Sequence, residues 1–154
     1  MGEEKNTTVL FVCTGNTCRS PMAVGLLKKL AGPDTYRILS AGTSAAQGLQ
    51  PSRYARKVME EEGVDISDHR SKMLDADLLE EADNVLVMTE LHRRQIADWF
   101  KSYAKKVRVL REFDPVRDDP DYPNIPDPMG MGKDVYLKCK EMIRRSLERA
   151  IKEL

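Results

Sequence analysis

An α/β fold of one domain, with an open, four-stranded parallel sheet covered by helices on both faces, is predicted by three features of this 154-residue sequence. Short β-prone apolar runs alternate along the chain with longer stretches of helical periodicity, the pattern of crossover connections in a parallel sheet. The first run, Thr8-Val9-Leu10-Phe11-Val12-Cys13, is continuous and β-prone without polar alternation, as expected of a strand buried on both faces. The length suits one core, 1–154, with 41% hydrophobic and 32% charged residues and neither an internal repeat nor a linker-like stretch.

Residues 1–7 read as a polar tail before the first strand. Ser20-Pro21 then reads as an N-cap followed by proline at the first helical position. Met22, Ala23, Leu26, Leu27 and Leu30 keep helical spacing until Gly32-Pro33 stops them. Tyr36 to Ser40 is the second predicted strand. Pro51 to Glu62 is a helix with Ala55, Val58 and Met59 on one face and Gly63 at its stop. Asn84 to Met88 is the third strand, Leu91 to Tyr103 a helix, and Lys106 to Leu110 the fourth strand. A Pro- and Asp-rich loop runs from Asp114 to Gly132. The closing helix sets Val135, Cys139, Met142, Ile143, Leu147, Ala150, Ile151 and Leu154 on one stripe.

Charge and cysteine usage narrow the function classes. Lys plus Arg total 25 and Asp plus Glu total 25, so no basic excess draws the chain to nucleic acid or an anionic membrane. No apolar run approaches the ~20 residues that span a bilayer. Met1 to Asn6 is polar and lacks a signal-peptide core. With 3 cysteines, free thiols in a reducing, cytoplasmic setting are expected.

Ligands of parallel sheets bind beyond the C-terminal strand ends, which directs attention to Cys13-Thr14-Gly15-Asn16-Thr17-Cys18-Arg19-Ser20. A tight loop running into a helix N-terminus forms a nest of N–H groups suited to a tetrahedral oxyanion, a phosphate-binding loop after strand one. The same field favours thiolate over thiol at Cys13. Arg19 adds a planar fork that matches two phosphate oxygens. Gly15 is the residue expected to take a positive φ. Cys13 is then a nucleophile in line with bound phosphorus. The bland alternative is a buried cysteine closing a core strand with a chance arginine after it.

Val9 to Ala23, VLFVCTGNTCRSPMA, closely resembles the signature of the low-molecular-weight protein-tyrosine-phosphatase family. Ser40-Ala41-Gly42-Thr43 and Asp127-Pro128 match further segments of that family in the same order, so the resemblance covers nearly the whole chain. It implies a two-step protein phosphatase without metal or organic cofactor, acting as a monomer on phosphorylated protein substrates. Cys13 would form a cysteinyl-phosphate, and Asp127 would protonate the leaving group and then activate water. Arg19 and the loop amides from Thr14 through Gly15, Asn16, Thr17 and Cys18 would hold the equatorial oxygens. Ser20 would hydrogen-bond the thiolate, and Asn16 would brace the loop, with His69 or Ser44 as its partner. Pro128 restricts Asp127 to extended backbone. Asp114, Asp118, Asp119 and Asp121 read as solvated surface charge.

Cys18 admits two readings, core filler or redox partner that shields Cys13 through a reversible disulfide; the resemblance favours the second. Cys139 reads as core, and His92, beside Arg93 and Arg94, as surface. Thr17 and Met129 bear on the substrate. Thr17 resembles the protein-arginine-phosphatase branch, in which a threonine hydroxyl can meet a guanidino group, and Met129-Gly130 replaces an aromatic pair beside Asp127-Pro128. Phosphoarginine is therefore favoured over phosphotyrosine. An arsenate reductase would need shuttle cysteines after the third strand, and 83–99 contains none. A phosphocarrier would not pair Arg19 with Asp127, and a zinc module would need more ligands than Cys13 and Cys18.

Overall fold

The computed structural model describes residues 6–154, so most of the polar tail lies outside the described residues. Four parallel strands, β1 (Thr8–Cys13), β2 (Arg37–Gly42), β3 (Asn84–Val87) and β4 (Val107–Val109), form one sheet in the order β2-β1-β3-β4. In β1 every residue is buried, and its side chains divide by parity. Val9, Phe11 and Cys13 face one cluster, while Leu10 and Val12 face the other.

The first cluster is closed by α1 (Arg19–Ala31), α2 (Arg53–Glu60) and α5 (Lys133–Ala150), through Met22, Leu26, Val58, Met59, Ile143 and Leu147. The second is closed by α3 (Ala76–Glu81) and α4 (Glu90–Trp99), through Leu79 and Ile96. Helices therefore cover both faces, as predicted. Among the described residues no helix is long and apolar enough to cross a membrane.

Several boundaries differ from expectation. Strand β2 runs on to Gly42 because it stays in register with β1 as far as the pair Cys13–Gly42. The expected helix to Tyr103 stops at Trp99, since Phe100 leaves helical geometry at φ −135° and a 3₁₀ segment follows over Lys101–Lys106. The closing helix likewise tightens to 3₁₀ after Ala150. Helix α3 was not anticipated; Asp75 caps it by accepting the Leu78 N–H at 2.9 Å. Ser20 is not an N-cap. Helix α1 begins at Arg19, leaving the Ser20 hydroxyl free for the loop before it.

Strand β1 has β2 on one side and β3 on the other, so the chain reverses its direction of growth there. At such a switch point the C-terminal strand ends leave a crevice for ligand. The segments after β1, β3 and β4 converge on that end.

Candidate active site

Gly42 explains how the loop after β1 can close so tightly. A Cβ on Gly42 would stand 2.3 Å from Thr14 O and 3.1 Å from Asn16 N, so only glycine lets the backbones approach. Thr43 N–H then donates to Cys13 O, and Ser44 N–H to Thr14 O, at 2.9 and 3.0 Å. The positive φ falls on Asn16, at 57°, and not on Gly15 as expected. Asparagine tolerates this region because its short side chain finds local partners.

Those partners are specific. Asn16 is fully buried, and its Nδ2 donates to Ser20 Oγ at 2.7 Å and to Ser40 Oγ at 3.1 Å. Its Oδ1 accepts from Lys72 N–H at 3.0 Å, while its carbonyl oxygen lies 2.8 Å from His69 Nε2. Burial holds the His69 pKa below its ordinary value. Of the two expected partners His69 is found, whereas Ser44 serves Thr14 and Ser40 takes its place.

Cys13 Sγ lies at the centre of this brace. It accepts from Asn16 N–H at 3.2 Å and is 2.9 Å from Ser20 Oγ. Arg19 is 3% exposed, donating from Nη1 to Ile125 O at 2.9 Å and from Nη2 to Thr14 Oγ1 at 3.4 Å. Its Nε is buried with no partner among the described residues. An orphaned guanidinium N–H of this kind is unusual, and a bound oxyanion would satisfy it.

Asp127 stands at the open side of the site, with its side chain 49% exposed and Oδ2 3.8 Å from Arg19 Nη2. Its other oxygen accepts from Met129 N–H at 3.0 Å, which fixes the carboxylate against its own turn. Met129 itself is exposed. The loop carrying Asp127 is tethered by two aspartates expected in solvent, Asp114 and Asp119. Asp114 is fully buried between Arg111 and Arg145, and Asp119 pairs with Arg111 at 2.7 Å. Burial pushes the Asp114 carboxyl up, but hydrogen bonds from Arg145, Val116 N–H and Arg111 outweigh it and hold the group below its ordinary range. Asp118 and Asp121 are exposed as expected. Arg111 also donates to Asn124 O at 3.0 Å, next to the Ile125 carbonyl that receives Arg19.

Thr17 is buried, not on an open rim; its hydroxyl has one polar neighbour among the described residues, Cys18 Sγ at 3.8 Å. Cys18 is 3.2 Å from Ser52 Oγ and 3.4 Å from the Tyr136 hydroxyl. Burial and that sulfur contact push the Tyr136 phenol up to about 12. Cys139 is core, as expected; burial pushes its thiol up to about 12, and Sγ donates to Pro126 O at 3.3 Å.

His92 was expected on the surface and is 2% exposed. Its Nε2 lies 2.8 Å from Thr14 Oγ1, and its Nδ1 lies 3.0 Å from Thr89 Oγ1. The signal was the spacing: a threonine capping the helix after β3 turns the residue three positions on toward the strand ends. Charge-rich neighbours masked it.

Comparison with known proteins agrees with this geometry. A family model described as low molecular weight phosphotyrosine protein phosphatase matches residues 8–154. A protein-arginine-phosphatase of Geobacillus stearothermophilus is 36% identical over 148 residues, covering 95% of each chain. A solved low molecular weight protein tyrosine phosphatase from T. tengcongensis superposes with a TM-score of 0.86 at 39% identity, covering 97% of this chain and 100% of its own. An arsenate reductase of Bacillus subtilis is 44% identical, but over only 84 residues, 54% of this chain. The match thus runs from the first strand through the closing helix, and the chain belongs to the low molecular weight phosphotyrosine protein phosphatase family, an enzyme family of cysteine-dependent phosphatases.

Proposed function

We propose that the enzyme removes phosphate from arginine side chains of proteins through a phosphocysteine at Cys13. The Thr17 hydroxyl carries this reading: buried within the loop, its one hydrogen-bond partner among the described residues is the Cys18 sulfur at 3.8 Å. A hydroxyl left so poorly satisfied is available to a polar leaving group such as a guanidino group. The similar G. stearothermophilus protein, a protein-arginine-phosphatase, supports the same substrate class.

Two displacements at phosphorus make up the reaction. The Cys13 thiolate attacks, a P–S bond forms, and the bond to the leaving nitrogen breaks as Asp127 delivers its proton to that nitrogen. Water then attacks the phosphocysteine while Asp127 takes back a proton, and the P–S bond breaks to release phosphate and thiolate. Ser20, 2.9 Å from Sγ, and Asn16 N–H stabilise the sulfur as a leaving group. Arg19, whose Nε has no partner among the described residues, and the loop amides from Thr14 to Arg19 hold the equatorial oxygens in both steps. Cys18 is the redox partner, able to trap an oxidised Cys13 as a disulfide.

Phosphotyrosine is the second reading, favoured by the exposed Met129 side chain, which can pack on an aromatic ring, and by the similar T. tengcongensis tyrosine phosphatase. Thr17→Ile separates the two. It lowers kcat/KM for a phosphoarginine peptide while sparing or raising that for a phosphotyrosine peptide; an unchanged ratio rejects Thr17 as the selector.

A further inference from the structure

Thr14 and His92 form a polar arm of the site that the two displacement steps above leave unused. Thr14 is exposed at the mouth, His92 is buried behind it, and Thr89 holds His92 from the other side. The proton positions along this chain follow from counting donors and acceptors. Thr89 Oγ1 already accepts from His92 N–H at 3.1 Å. If Nδ1 carried the imidazole proton, Thr89 would accept twice from the same residue, and its own hydroxyl proton would have no acceptor among the described residues. If Nε2 carries it, Thr89 donates to Nδ1, and Nε2–H donates to Thr14 Oγ1 at 2.8 Å. Every donor of the chain behind Thr14 is then matched within the protein, with Thr89 itself half-buried.

The second arrangement has a consequence at the mouth. Thr14 Oγ1 accepts from both His92 and Arg19 Nη2, the latter at 3.4 Å. Both of its lone pairs are engaged, so its hydroxyl can only donate, and the one spare proton of the chain lies at its exposed end. An anion held beside Arg19 would supply the acceptor.

We propose that His92 is a positioning residue which, by donating Nε2–H to Thr14, fixes the Thr14 hydroxyl as a hydrogen-bond donor to an oxygen of the phosphate held in the loop. This rests on the loop being a phosphate site and is independent of which phosphorylated residue is the substrate. The imidazole suits the task because it stays neutral: burial first, and the Arg19 charge second, hold its pKa down to about 4 despite the opposing charge of Asp127.

The direct test is the tautomer, read from the imidazole ¹⁵N shifts of His92 in the wild-type enzyme at neutral pH. Protonated Nε2 is expected; protonated Nδ1 overturns the proposal. Calorimetric titration with inorganic phosphate tests the consequence without turnover, so failure of the phosphatase reading leaves it intact. Thr14→Val weakens phosphate binding roughly tenfold or more, the range for a hydrogen bond to a charged group, and Thr14→Ser restores it. His92→Phe shifts affinity in the same direction, and Thr14→Val adds little on top of it, as expected for groups acting in series. Unchanged affinity in Thr14→Val, or independent addition of the two effects, overturns the proposal even if His92→Phe folds poorly.

Discussion

Replacing Asn16 by alanine tests whether the loop is braced from behind. The native side chain makes two donor bonds, to Ser20 and Ser40, and accepts one from Lys72 N–H. Three net hydrogen bonds at about 1 kcal/mol each sum to about 3 kcal/mol. Alanine at a φ of 57° adds backbone strain, at about 1 kcal/mol. The expected loss is therefore about 4 kcal/mol, a large share of the 5–15 kcal/mol typical of a folded domain. Urea unfolding of both proteins measures it, and aryl phosphate turnover measures the functional cost. Asn16→Asp sharpens the experiment, because aspartate tolerates the same φ and keeps the acceptor for Lys72. It draws the Ser20 hydroxyl away from Cys13 and places negative charge behind the sulfur, so activity falls more than stability. An alanine variant within about 1 kcal/mol of wild type, with turnover unchanged, would refute the brace.

Three further outcomes follow from the same geometry. Asp127→Asn lowers kcat by ~10²–10⁴-fold for a poor leaving group and less for an acidic one; a larger defect in Asp119→Asn or Asp121→Asn, measured with the same aryl phosphates, would mean the acid lies elsewhere. After mild peroxide, thiol reductant restores the wild type more completely than Cys18→Ser, in which Cys13 continues up the oxidation ladder; equal recovery would leave Cys18 as core. The carboxyls of Asp114 and Asp119 are held below their ordinary 3.8 in the folded protein, so the stability they supply is present above that value. It drains as pH falls through it toward their folded values. Denaturant midpoints measured from pH 6 downward in wild type and Asp114→Asn converge on acidification, and parallel curves would contradict the network.

How far the sequence revealed this site depends on whether each group acts locally. Cys13 and Arg19 were legible because a strand end, a short loop and a helix start lie within one stretch of chain, whereas Ser20 drew the expectation of an N-cap and only the family resemblance pointed it at Cys13. The strand pattern was legible because β1 is buried on both faces and so is apolar without interruption after Thr8. Gly15 drew the expectation of positive φ by residue type, yet the bend falls on Asn16, whose side chain is matched by Ser40 and Lys72 from distant segments. His92, Asp114 and Asp119 looked like surface groups because polar neighbours surround them in sequence. Their placement depends on partners such as Thr14, Arg111 and Arg145, which only the folded chain brings near. Helix α3 is short, and its cap at Asp75 was masked among the acidic residues around it.

The central claim is that Cys13 carries the phosphoryl group between the two displacements. Acid quenching during turnover of an aryl phosphate, followed by peptide mass spectrometry, measures this directly. One phosphoryl group on the peptide holding Cys13 is expected in the wild type. It should accumulate further in Asp127→Asn with an acidic leaving group, where the second step is slowed, and be absent in Cys13→Ala. A phosphoryl group on any other residue, or turnover that survives Cys13→Ala, would contradict the account.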